Sequence, residues 1–185
     1  MIFNEHLNLK TDHAFLSPSQ PRWLNYEDDK LIASYSSYKA TQRGTILHAF
    51  AAQCISLGQR LEKVDKTINL YVNDSIDFVM TPEQVLYYSD YAWGTCDSIC
   101  FRDKILRVHD YKSGSTKAHP EQLFVYCALF CLEYKIKPSD IVFVTRIYQN
   151  NRFYEDHPEP ALILQIMDII VKHNKILKEV NALEG

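Results

Sequence analysis

Residues 107–114 read Arg-Val-His-Asp-Tyr-Lys-Ser-Gly, with Asp110 and Lys112 two apart at the end of a strand-like stretch. Alternate residues of a strand share a face, so this carboxylate and this ammonium project together. Asp97 follows Gly94-Thr95 in the strand-like segment before it. If the two segments pair through the charged turn at 102–104, Asp97 and Asp110 lie across from one another on one face. Facing carboxylates repel, and burying both without a cation is costly. A divalent ion resolves that conflict, and oxygen ligands suit Mg²⁺ or Mn²⁺. Lys112 would present a point charge to a phosphate oxygen or a developing hydroxide. His48, four residues after Gly44 in "GTILH", offers a nitrogen ligand if its helix packs over the sheet. Singly, each has a plainer explanation: a surface ion pair for Asp110 and Lys112, a turn stabiliser for Asp97, a hydrogen-bonded boundary residue for His48. Their joint occurrence, in order, on suitable elements is what points to a site.

The elements that must carry these residues follow from periodicity. Cap-type residues and a proline open a short helix over 17–30, with Ser19 as its N-cap. A first long helix is expected over 44–61, its apolar stripe formed by Ile46, Leu47, Phe50, Cys54, Leu57 and Leu61. Helical spacing continues over 66–80. Three strand-like segments follow: "EQVLYYSDYA", "TCDSICF" and "KILRVHDYK". Short turns between them predict an antiparallel meander. A helix over 119–135 starts at His119-Pro120, a near-continuous apolar strand covers 140–149, and an amphipathic helix over 159–183 closes the chain. A helix between the third and fourth strands makes those strands parallel neighbours. The expectation is an α/β fold, a three-strand antiparallel meander plus a parallel fourth strand, flanked by helices.

A chain of 185 residues predicts one domain, 1–185, with a core of its own. Hydrophobic residues at 46% and charged residues at 23% are ordinary for a folded protein. The net charge of -3 gives no global basic field, which argues against a sequence-independent coat for DNA but not against a local DNA site. Cysteines stand at 54, 96, 100, 127 and 131, an odd number without a C-x-x-C pair. With no signal peptide in front of them, they read as reduced thiols of a cytoplasmic protein, Cys127 and Cys131 on one core face. No apolar run approaches the roughly 18 to 20 residues of a membrane span.

Taken as a set, "RGTILH" (43–48), "GTCD" (94–97), "HDYKSG" (109–114) and "EQLFVY" (121–126), behind an opening "LSPSQ" with "WLNY", resemble the PD-(D/E)xK nuclease superfamily. The similarity is to its RecB-like branch, with its Cas4-like and phage-encoded exonucleases, and covers roughly residues 16 to 150. It implies a restriction-endonuclease-like core. It further implies His48, Asp97, Asp110 and the Tyr111 carbonyl as ligands of Mg²⁺ or Mn²⁺, with Asp97, Asp110 and Lys112 catalytic. Gln122 and Tyr126 match a Q-x-x-x-Y helix that holds the lysine, the DNA strand, or both. Iron–sulfur members carry a cysteine where this chain has Tyr26, and a cysteine cluster near the C-terminus, whereas no cysteine follows Cys131 here. The resemblance therefore implies no iron–sulfur cluster. No G-x-x-x-x-G-K-[ST] motif is present, so any unwinding belongs to another protein.

Arg43 and Lys117 flank motif residues and are the stronger candidates for phosphate contacts, ahead of Arg102, Lys104 and Arg107. Tyr87, Tyr88 and Tyr91 either stack on bases or pack in the core. Arg22 and Trp23 either touch DNA or staple the first helix. The leading reading is a metal-dependent deoxyribonuclease, an exonuclease acting in phage or bacterial DNA recombination, repair or replication. DNA, a homo-oligomer or a recombination or replication protein are the expected partners, and no membrane. The alternatives are a catalytically silent nuclease fold that binds DNA or protein, and an enzyme acting on RNA.

Overall fold

The computed structural model describes residues 14–114 and 119–184. Contacts group the chain into two compact units, Met1–Thr45 and Ile46–Gly185, the boundary falling within the first α-helix. In the first unit, a short 3-10 helix, Pro21–Asn25, is entered at Gln20 with no side-chain cap. Ser19 is not the N-cap expected of it; its hydroxyl meets that of Ser17 at 2.8 Å. The Trp23 indole donates to the Ser17 carbonyl at 3.0 Å, and the Phe15 ring lies against Tyr35 and Tyr38. These contacts favour the stapling role for Trp23.

Helix α1 runs over Asp28–Leu57, far longer at its start than the 44–61 expected. Residues 28–43 hold three Ser, two Lys and two Tyr and only two large aliphatic residues, Leu31 and Ile32, so their helical tendency carries little apolar stripe to announce it. The end is set by Gly58 at φ 63. Its N–H reaches the Ile55 carbonyl and the Gln59 N–H reaches that of Cys54, a Schellman cap that stops the helix four residues early. The buried face also differs from the expected stripe: it is Ala51, Cys54 and Ile55, with Ile46, Phe50 and Leu57 exposed.

The second unit continues with α2 (Thr67–Asp77), β1 (Thr81–Ser89), β2 (Ala92–Arg102), β3 (Ile105–Tyr111), α3 (Glu121–Tyr134), β4 (Val142–Gln149), β5 (Arg152–Asp156) and α4 (Pro160–Glu184). Five strands form one mixed sheet in the order β1-β2-β3-β4-β5. The β3–β4 pair is parallel and the other three are antiparallel. The fold is therefore α/β with the expected meander and parallel fourth strand, extended by a fifth. Two-residue turns with both central residues at positive φ, Asp103-Lys104 and Asn150-Asn151, close the β2–β3 and β4–β5 hairpins. Strand β5 is exposed along its length, and so lacks the apolar alternation that marks a strand in sequence.

Strand β3 is the centre of the sheet, and its two faces enter different cores. Leu106 and Val108, each wholly buried, meet Leu123, Cys127, Ala128 and Cys131 of α3 and Ile163 of α4. Tyr111 meets Tyr71 and Val72 of α2, Ala51 and Cys54 of α1, and Tyr148 of β4. All five cysteines are free thiols, with Cys127 and Cys131 buried together as expected. Among the described residues no helix is long and apolar enough to cross a membrane. Leu106→Ala should cost about 2–5 kcal/mol in urea unfolding by opening a cavity under α3. Leu57→Ala, on the face the stripe reading would bury, should cost no more than about 0.5 kcal/mol.

Candidate metal centre

The β2–β3 ladder ends at the Ser98–His109 pair, and Asp97 and Asp110 follow it on the two strands without pairing. There a side chain intervenes: Asp97 Oδ2 accepts the Tyr111 N–H at 2.7 Å. On its other side Asp97 faces β1, where Pro82 pairs with Ser98 and Gln84 with Cys96 while no pairing joins Glu83 to Asp97. Glu83 has φ 50, a left-handed conformation that costs a side-chain-bearing residue of order 1–3 kcal/mol. The distortion is local and leaves the register intact. Across the same rung, Cys96 and Ile99 of β2, three apart, both enter the core under α3.

The strained turn brings Glu83 into the site. His48, Glu83 and Asp97 each offer a ligand atom within 4.8 Å of the others. His48 Nδ1 stands 3.4 Å from Asp97 Oδ2, and its ring meets the edge of Tyr111 at 5.2 Å between centroids. Tyr111 in turn stacks on Tyr71, so the second core fixes the backbone on which Asp110 and Lys112 hang. Asp110 is 3% exposed. Its Oδ1 accepts from Lys112 Nζ at 3.0 Å, whereas Oδ2 is buried with no hydrogen-bond partner among the described residues.

Lys112 does share a face with Asp110, and Gln122 Oε1 on α3 accepts a second N–H from its ammonium at 3.1 Å. Tyr126, one turn on, makes no hydrogen bond to Lys112. Its hydroxyl donates to the Thr95 carbonyl at 2.6 Å, tying α3 to β2 two residues before Asp97. A Cβ on Gly94 would lie 3.2 Å from the Tyr126 ring, so the glycine of "GTCD" makes room for that tie.

Electrostatics single out the same groups. Burial, and then the Asp97 charge, push the Asp110 carboxyl above its ordinary range, with Lys112 opposing. Glu83 moves the same way from burial and from Asp97. The hydrogen bond to Asp97 raises His48 in spite of its burial. Asp110 and Glu83 thus both hold their protons more tightly than usual, each through its own burial and the neighbouring Asp97 charge. An oxygen-rich set with one imidazole and an unpartnered buried carboxylate oxygen fits a hard divalent cation.

Other expected contacts fare differently. Arg43 is an exposed residue of α1 in the first unit, and Lys117 lies outside the described residues. Arg102 ends β2 and Lys104 lies in the turn that begins β3, six residues or roughly 20 Å of strand from Asp110, so both stand away from the site. Arg107 stacks on Phe78, 4.4 Å from its centroid. Tyr88 packs against the core, while Tyr87 and Tyr91 are exposed.

Glu83 is the residue that sequence reasoning missed. Counting back from the Ser89–Ala92 pair places Gln84, not Glu83, opposite Asp97; the register shift between Tyr87 and Ser89 moves the partner by one. If the cluster holds a cation, Glu83→Gln should weaken Mn²⁺ binding about tenfold or more by titration calorimetry, and His48→Ala comparably. Unchanged affinity in both would remove them from the ligand set.

Compared with known proteins, the chain matches no family model, no curated protein and no solved structure.

Proposed function

We propose that the chain is a metal-dependent deoxyribonuclease of the PD-(D/E)xK type, its sheet and helices a restriction-endonuclease-like core. In this reading it is an exonuclease acting on DNA ends in phage or bacterial recombination, repair or replication. One observation carries it: Asp110 is buried beside Asp97 with one oxygen unpartnered, while its other oxygen holds Lys112. A pure binding module has no use for that costly pair of carboxylates with a lysine locked against them.

His48, Asp97, Asp110 and Glu83, with the Tyr111 carbonyl, would hold Mg²⁺ or Mn²⁺. The ion would supply Lewis acidity at the scissile phosphate and make a water more acidic. The remaining roles belong to the chain. An ammonium has three N–H donors, and Lys112 commits one to Asp110 and one to Gln122, which aims the third. That donor can orient the attacking water or meet charge growing on a phosphate oxygen. Gln122 acts through Lys112 and is a positioning residue. Tyr126 and Gly94 fix the approach of α3 to β2, and thereby the distance from Gln122 to the carboxylates.

The test is digestion of end-labelled linear duplex and single-stranded DNA with Mg²⁺, Mn²⁺ or EDTA. Wild type should release label only with metal, and Lys112→Ala, which leaves the core untouched, should lose at least about 100-fold in rate. A closed circle should survive, and comparing 5′ with 3′ label gives the polarity. Binding without cleavage in either metal would favour the silent DNA-binding module instead.

A further inference from the structure

Helix α4 carries two apolar faces, and its own domain covers one of them. Ile163, Met167 and Ile170 pack into the core under α3. A second stripe runs along the helix at Ile166, Ile169, His173, Ile176, Val180 and Leu183; its first residue, Ile166, is half-buried against the core, and the other five are exposed. These residues are spaced three and four apart in strict alternation, which is the seam of a two-stranded coiled coil. Ile169, Ile176 and Val180 are each about half exposed, and Leu183 is 87% exposed. From Lys175 to Leu183 every residue is exposed, so these turns receive no cover from the domain.

We propose that this stripe pairs with the same stripe of a second copy, the two α4 helices running antiparallel. In that arrangement Ile166 packs opposite Leu183, Ile169 opposite Val180, and His173 opposite Ile176, and the two-fold axis falls at the middle of the seam. The charges beside the seam select this partner and this direction. Lys172 comes alongside Glu179 of the second copy and, by symmetry, Glu179 alongside Lys172 of the second copy. A parallel pair would set Lys172 beside Leu177 and leave both charges unmatched. Within its own helix Glu179 has only a 4.0 Å contact with Lys175, both exposed, which leaves it able to reach across.

Light scattering after size exclusion, with the full chain at about 100 µM, tests this directly. The expected mass is twice the chain's 21.6 kDa. Ile176→Lys, at a site exposed within one copy, should give a folded monomer with an unchanged circular dichroism spectrum. Lys172→Glu alone and Glu179→Lys alone should each raise the dimer dissociation constant roughly three- to tenfold, since each breaks two exposed pairs. The double exchange should restore it to within about twofold. A monomeric wild type overturns the proposal. So does a dimer indifferent to Ile176→Lys, or one that the double exchange fails to restore.

Discussion

Asp110 is held where a carboxylate is least comfortable. It is the last residue but one of the central strand, paired with Ile147 of β4 and just past the end of the β2 ladder, and only one of its oxygens is satisfied within the described chain. Asp97 on the adjacent strand adds a second negative charge. An isolated pair of this kind would disfavour folding by several kcal/mol. Much of the surrounding structure can be understood as holding that arrangement in place. Asp97 is fixed by the Tyr111 N–H, Lys112 is braced between Asp110 and Gln122, and His48 leans on both Asp97 and the Tyr111 ring.

Rigid supports make this possible. The α3 helix gives one face to the core through Leu123, Cys127 and Cys131, and from its first turns it sends Gln122 and Tyr126 towards the strands. Moving α3 would cost core packing, so the distance between Gln122 and Lys112 is inherited from apolar burial. Glu83 illustrates the opposite economy. Its backbone is strained, on an edge strand, and nothing in the core needs it there; only the convergence with His48 and Asp97 gives that strain a purpose.

Much of this was legible in the amino-acid order because it is local. Asp110 and Lys112 share a face through the two-residue period of a strand, Gln122 and Tyr126 share a helix face through the four-residue period, and the two-residue turn at 103–104 brings Asp97 to Asp110. What escaped depends on longer-range geometry. One extra residue between Tyr87 and Ser89 redirects the partner of Asp97 from Gln84 to Glu83. A Schellman cap at Gly58 ended α1 earlier than its apolar pattern suggested, and tertiary packing chose Ala51, Cys54 and Ile55 over the larger residues beside them. The exposed β5 strand had no apolar face to read. Arg102 and Lys104 lay near the motif in sequence but at the opposite end of its strand.

The central claim is that the unpartnered Asp110 oxygen belongs to a cation. Anomalous diffraction from crystals soaked in Mn²⁺ addresses it without relying on any activity. One strong manganese peak within coordinating distance of His48, Glu83, Asp97, Asp110 and the Tyr111 carbonyl, roughly 2.0–2.3 Å from the ligand atoms, is the predicted result. No peak there at saturating Mn²⁺, with Asp110 closed onto a protein donor, would contradict the account and leave the carboxylate pair a structural ion-pair network.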